Sequence, residues 1–81
     1  MKLELEIPDS VAVAEKMDAT ALGNHLRLMA AMKLYELGHL SSGGAAELAG
    51  MSRVEFLGRA GDYRVFPFAA ELEELEHGQP L

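Results

Sequence analysis

Ser41-Ser42-Gly43-Gly44-Ala45-Ala46-Glu47-Leu48-Ala49-Gly50-Met51-Ser52-Arg53-Val54-Glu55-Phe56-Leu57 decides how this chain folds. The spacing reads as a helix–turn–helix. Ala46 and Gly50 stand four apart, the apolar Met51 and then Ser52 follow, and a new helical period begins. Two helices crossing steeply over a short turn bring their backbones together. A small residue is needed where the first helix touches the second, and Ala46 supplies it. The turn calls for a residue at positive φ, which Gly50 adopts without steric cost. Ser52 caps the second helix by accepting a bond from an N–H that lacks a partner inside the helix. The unit covers residues 42–60. Its second helix, about residues 53–59, occupies the place of a DNA recognition helix, and Gly58 and Gly61 are expected to end it early. Helix pairs with a glycine turn also occur in small α proteins that never touch DNA, so the motif alone leaves binding open.

On the N-terminal side, Asp18 is placed to cap a long helix over residues 19–37, and Gly38 to stop it in the left-handed conformation. Leu22, Leu26, Met29 and Met32 follow one stripe of this helix. Leu28, Ala31, Leu34 and Tyr35 cover another, and Leu37 extends the coverage. A helix apolar nearly all round is buried nearly all round. A chain of 81 residues has little else to cover it, so a dimer interface through Leu22, Leu26, Leu28, Met29 and Met32 is expected. The alternative is that several of these residues stand exposed singly, which is common. Before this helix, residues 10–17 read as a short helix capped by Asp9 or Ser10. Residues 2–7 alternate strictly, with Leu3, Leu5 and Ile7 on one face and Lys2, Glu4 and Glu6 on the other. That is the period of a half-buried strand, and Pro8 stops it. One strand cannot satisfy its own backbone groups. It must pair with a second strand of this chain or with its copy in another subunit, where Leu3, Leu5 and Ile7 would join the dimer interface.

On the C-terminal side, residues 63–68 (Tyr63-Arg64-Val65-Phe66-Pro67-Phe68) suit a second short strand, at an edge because Pro67 has no N–H to donate. Residues 69–77 read as an acidic helix, with Leu72 and Leu75 three apart among Glu71, Glu73, Glu74 and Glu76. Phe66, Phe68, Leu72 and Leu75 either complete the protein's own core or bind a partner. The expected fold is therefore mainly α with one or two short β-strands, a single small dimeric domain over residues 1–81 built on a helix–turn–helix core.

Composition sets the outer bounds. Apolar residues make up 49% of the chain, which suits a folded protein rather than a disordered one. A domain this small buries a modest core and is marginal alone. There is no cysteine, which excludes disulfide staples and thiolate metal sites. No apolar run approaches transmembrane length and no leader pattern opens the sequence, so a soluble cytoplasmic protein is expected. The net charge of −6 works against nonspecific nucleic-acid binding, but it is unevenly spread. Between residues 25 and 65, Arg27, Lys33, Arg53, Arg59 and Arg64 stand against Glu36, Glu47, Glu55 and Asp62, close to balance. The C-terminal segment is acidic throughout. A near-neutral reader of DNA needs a second copy or a partner to bind well.

No catalytic pattern rises from the sequence. His25, His39 and His77 lack metal-ligand spacing. His25 reads as a packing residue, His39 as a solvated one, and the glutamate cluster as a solvated face. Gly43-Gly44 lacks the spacing and the lysine of a phosphate loop. We expect no enzyme, no cofactor and no metal.

Three segments together resemble a family of small prokaryotic proteins, uncharacterised protein family 0175, often described as antitoxins. They are Leu3-Glu4-Leu5-Glu6-Ile7-Pro8-Asp9; the stretch Ala30-Ala31-Met32-Lys33-Leu34-Tyr35-Glu36-Leu37-Gly38-His39-Leu40-Ser41; and the run from Gly44 to Leu57, in which the small residues, Ser52-Arg53 and Glu55-Phe56 fall in register. The chain departs from the family pattern at Val54, where a larger residue is usual. It departs again at Gly58-Arg59-Ala60, where leucines are usual, and at Gly43-Gly44, where a lysine is common. The resemblance implies an antitoxin module paired with a PIN-like ribonuclease toxin. The helix–turn–helix would then bind its own promoter DNA and the C-terminal segment would occupy the toxin. In that reading Ser52, Arg53, Glu55 and Arg59 face DNA, with Arg53 and Arg59 as the main phosphate or base contacts. Glu55 suits a cytosine amino group or plain solvation. Phe66, Phe68, Leu72 and Leu75 then face the toxin. The alternative is a protein-interaction module that does not bind DNA.

Overall fold

The computed structural model describes residues 1–65. It contains α1 (Asp9–Glu15), α2 (Ala19–Glu36), α3 (Ser42–Ala49) and α4 (Arg53–Asp62), and no strand among the described residues. Each helix packs on its neighbour in sequence: α1 on α2, α2 on α3 and α3 on α4. No helix among the described residues is long and apolar enough to cross a membrane.

Helix starts follow side-chain chemistry. Asp18 Oδ1 accepts from the Ala21 N–H at 2.8 Å, Ser41 Oγ from Gly44 at 3.2 Å and Ser52 Oγ from Glu55 at 3.1 Å. Each satisfies one of the four N–H groups a helix leaves open at its start. The first helix differs from expectation. It begins at Asp9 behind Pro8, with no side-chain cap bond. Proline's fixed φ already suits a helix entry.

All four helices stop by one device. The residue after the last turn takes a left-handed conformation, and paired 5→2 and 6→1 bonds close the end. The left-handed residues are Lys16, Gly38, Gly50 and Arg64. At α3, Gly50 N–H donates to the Glu47 carbonyl at 3.1 Å and Met51 N–H to the Ala46 carbonyl at 3.0 Å. At α4, Arg64 N–H donates to Gly61 at 3.2 Å and Val65 N–H to Ala60 at 2.9 Å.

That last closure corrects two expectations. The recognition helix runs to Asp62 rather than ending early, because Gly58 and Gly61 adopt helical backbone and the stop lies at Arg64. Residues 63–65 are the helix closure and not the start of a strand, since Val65 turns into the core and is buried. The rest of that expected strand, the acidic helix over 69–77, and Phe66, Phe68, Leu72 and Leu75 lie outside the described residues.

The core is one cluster: Leu28, Ala31, Met32 and Tyr35 from α2, Ala45 and Ala46 from α3, Phe56 and Ala60 from α4, and Val65. The α2 members recur at i, i+3, i+4 and i+7, the period of one helix face. Tyr35 and Phe56 meet edge to face, ring centroids 5.4 Å apart at 82°, a preferred aromatic geometry. Ala45 and Ala46 let α3 lie close against both neighbours. Leu22, Leu28 and Met32 are thus buried within this chain and need no second copy to cover them. Leu26 and Met29 are half-buried, and Leu37 is 55% exposed. The long helix has one buried stripe rather than burial all round, because the short α3 and α4 cover one side of it.

Residues 2–7 form no ladder in the single chain, since no described segment offers a partner edge. Leu3 and Leu5 are each 73% exposed.

Candidate nucleic-acid interface

The turn between α3 and α4 is held from three sides. Gly50 sits at φ 74°, a conformation that costs any residue with a Cβ. Arg27, reaching from α2, donates its Nε–H to the Leu48 carbonyl at 2.8 Å. A cation there meets the negative end of the α3 dipole and one of its open carbonyls. The same guanidinium lies over Gly50, with nitrogens 3.5 and 3.7 Å from where a Cβ would stand. On the other side, Arg53 Nε–H donates to Ser42 Oγ at 2.7 Å. This bond joins the first turn of α4 to the first turn of α3. Ser42 is fully buried, so the bond sets the angle between the two helices from inside.

The four sequence-predicted contact residues therefore separate. Ser52 at the N-cap and Glu55 and Arg59 on α4 are exposed, while Arg53 is half-buried. Its Nη2 is buried and has no hydrogen-bond partner among the described residues. The spacing explains the difference: Arg53, Phe56, Leu57 and Ala60 recur at i, i+3, i+4 and i+7, which puts Arg53 on the inward stripe. Arg59 is exposed at the edge of the outer face. Val54, two residues before Phe56 and so nearly opposite it on the helix, is 83% exposed. Sequence reading noted Val54 as a departure from the family pattern without placing it at the interface, although its offset from Phe56 carried the signal.

The outer face of α4 thus presents Val54, Glu55, Gly58 and Arg59, followed by Asp62 and Tyr63. It mixes one cation, two carboxylates and an unsupported apolar side chain. The caps leave the first turn of α4 with N–H groups directed outward beside Ser52, a geometry that accepts phosphate.

A family model described as Uncharacterised protein family (UPF0175) matches residues 1–78. The chain belongs to this family. The match includes the arm before α1, the helix–turn–helix and most of the acidic segment. No curated protein and no solved structure gives a significant match. For this UPF0175 member, chemistry has to be argued from its own residues.

Proposed function

We propose that the chain is an antitoxin-like regulator that binds promoter duplex DNA as a dimer. Its acidic C-terminal segment would neutralise a partner toxin of the PIN-like ribonuclease kind. The observation that carries the DNA half is the braced turn. Arg53 ties α4 to α3 and Arg27 ties the end of α3 to α2, yet the outer face of α4, with Val54 83% exposed, packs against nothing described. A helix held rigidly with one face free suits insertion in a major groove. In this reading Arg59 contacts phosphate, the Ser52 end of α4 meets a second phosphate, and Val54 lies against a thymine methyl. Arg53 is a positioning residue. The toxin half rests on the family resemblance and on the apolar series Phe66, Phe68, Leu72 and Leu75 within the carboxylates.

One observation favours a second reading, a protein-interaction module without DNA binding. Glu55 and Asp62 outnumber Arg59 on the outer face of α4, and such a face repels phosphate unless the site is specific. Fluorescence anisotropy against a duplex from upstream of the protein's own gene decides between them. Salt-sensitive binding that Arg59→Ala weakens, with the log–log salt slope reduced by about one, supports the regulator. No saturable binding at low salt, with the chain folded and dimeric, supports the interaction module.

A further inference from the structure

The arm before α1 is the one described segment with a strand pattern and no backbone partner. Met1, Lys2, Leu3, Leu5 and Ile7 line an open groove against α2, on which Leu26 is half-buried, whereas Glu4 and Glu6 do not. From Leu3 to Ile7 the alternation of the sequence is therefore kept in space, with the apolar residues on the groove and the two glutamates off it. The arm stands off the helix: Leu3 and Leu5 remain 73% exposed and Ile7 38%. The groove is open, mixes these apolar side chains with Asp18, Thr20 and Asn24 at its lining, and is bordered on one side by backbone that has no ladder among the described residues. A segment that fills it must bring alternate apolar side chains and a strand edge.

The arm of a second copy has both, and its charges specify how it lies. If two arms ran parallel in register, Lys2 would oppose Lys2, Glu4 would oppose Glu4 and Glu6 would oppose Glu6. Like charges directly across a strand pair are destabilising. If they run antiparallel about Glu4, Lys2 faces the partner's Glu6, twice. Leu3 faces the partner's Leu5, twice, and Met1 faces the partner's Ile7, twice. Only the central Glu4 pair is like-charged. A lone two-stranded ribbon is marginal in water, but here its apolar face would lie toward the half-buried Leu26 of α2.

We propose that residues 1–7 form an antiparallel two-stranded ribbon with the same residues of a second copy of this chain, with Glu4 at the two-fold axis. The inference deepens the dimer of the proposed function and rests on that dimer, not on DNA binding.

The test uses the full chain, which has no native cysteine, so single cysteines give clean cross-links. Directly opposed residues of an antiparallel pair lie within disulfide reach, and diagonal ones lie beyond it. Glu4→Cys should form a disulfide dimer to near completion under mild oxidation. Leu3→Cys alone and Leu5→Cys alone should not, while a mixture of those two variants should cross-link. These side chains make little contact within their own chain, so circular dichroism should show unchanged helix content. In sedimentation, Leu5→Glu should raise the dimer dissociation constant roughly a hundredfold, from two leucines lost per ribbon. Cross-linking of all three single variants alike would mean a parallel pairing and overturn the proposal, as would cross-linking of Leu3→Cys alone, which marks a shifted register. A native dimer in which none of the three cross-links overturns the ribbon and leaves the dimer standing. A monomer at high micromolar concentration overturns both.

Discussion

Arg53 and Arg59 carry the same charge on the same helix and hold different positions. Arg53 bonds inward to Ser42, and Arg59 is exposed. Removing Arg53 leaves a fully buried hydroxyl without this donor and loses the packing of the arginine stem. Hydrogen bonds involving charged groups contribute about 1.5–3 kcal/mol. Arg53→Ala should therefore lower unfolding free energy by about 2 kcal/mol in urea titration, whereas Arg59→Ala should stay within about 0.5 kcal/mol of the native chain. In DNA binding the order should reverse when each variant is compared under conditions where it is fully folded. Gly50 offers a separate measurement. Its left-handed backbone has room for a Cβ at ordinary contact distance from Arg27, so Gly50→Ala tests the conformation alone. The expected loss is about 1–2 kcal/mol. Arg64 occupies the same conformation with a side chain. Arg64→Gly should leave stability unchanged or raise it by a few tenths of a kcal/mol, because relief of the left-handed strain is offset by the freer unfolded chain.

The helices show which signals in a sequence are local. Their starts were legible because caps act within three residues: Asp18 and Ser52 sit where their spacing put them. The Gly38 and Gly50 stops were legible because a left-handed position is cheapest for glycine. The stop of α4 was not, because Arg64 is an unlikely residue there. What holds it in place is Val65 buried against the core, a contact no local pattern carries. The same limit applies to α2. Its composition read as apolar all round, and only the packing of α3 and α4 on one side selects the stripe of Leu28, Ala31, Met32 and Tyr35. The candidate interface was legible in position and less so in detail. The stripe containing Phe56 and Ala60 also contains Arg53, which reading by charge assigned to DNA. Phe56 ties these elements together, fully buried and stacked edge-on to Tyr35. Phe56→Ala should cost about 3–5 kcal/mol, enough to unfold a domain of this size under ordinary conditions. Loss of the helical circular-dichroism signal at 25 °C would show it. The surface ion pair Lys33–Glu36, 2.7 Å and solvated, is by contrast expected to contribute under 1 kcal/mol.

At the level of the whole molecule, the described chain is a compact three-helix unit, α2 to α4, with a helix and an arm that make little of the core. Stability and assembly are then separable. In the proposed dimer the unit can be folded while the arm is unpaired, and pairing would add to it by mass action. The midpoint of thermal unfolding should rise with protein concentration in the native chain and become independent of concentration when residues 1–7 are deleted. Because consecutive helices pack on one another, most native contacts are close in sequence, and Tyr35–Phe56 and Arg27–Leu48 each span 21 residues. Topologies of this kind fold within microseconds to milliseconds. Joining two chains is a second-order event whose pace is set by how often they meet. Refolding by dilution should accordingly show a fast phase in tyrosine fluorescence, the same at every concentration. A slower phase, whose rate grows in proportion to the protein present, should follow as separately finished molecules find each other.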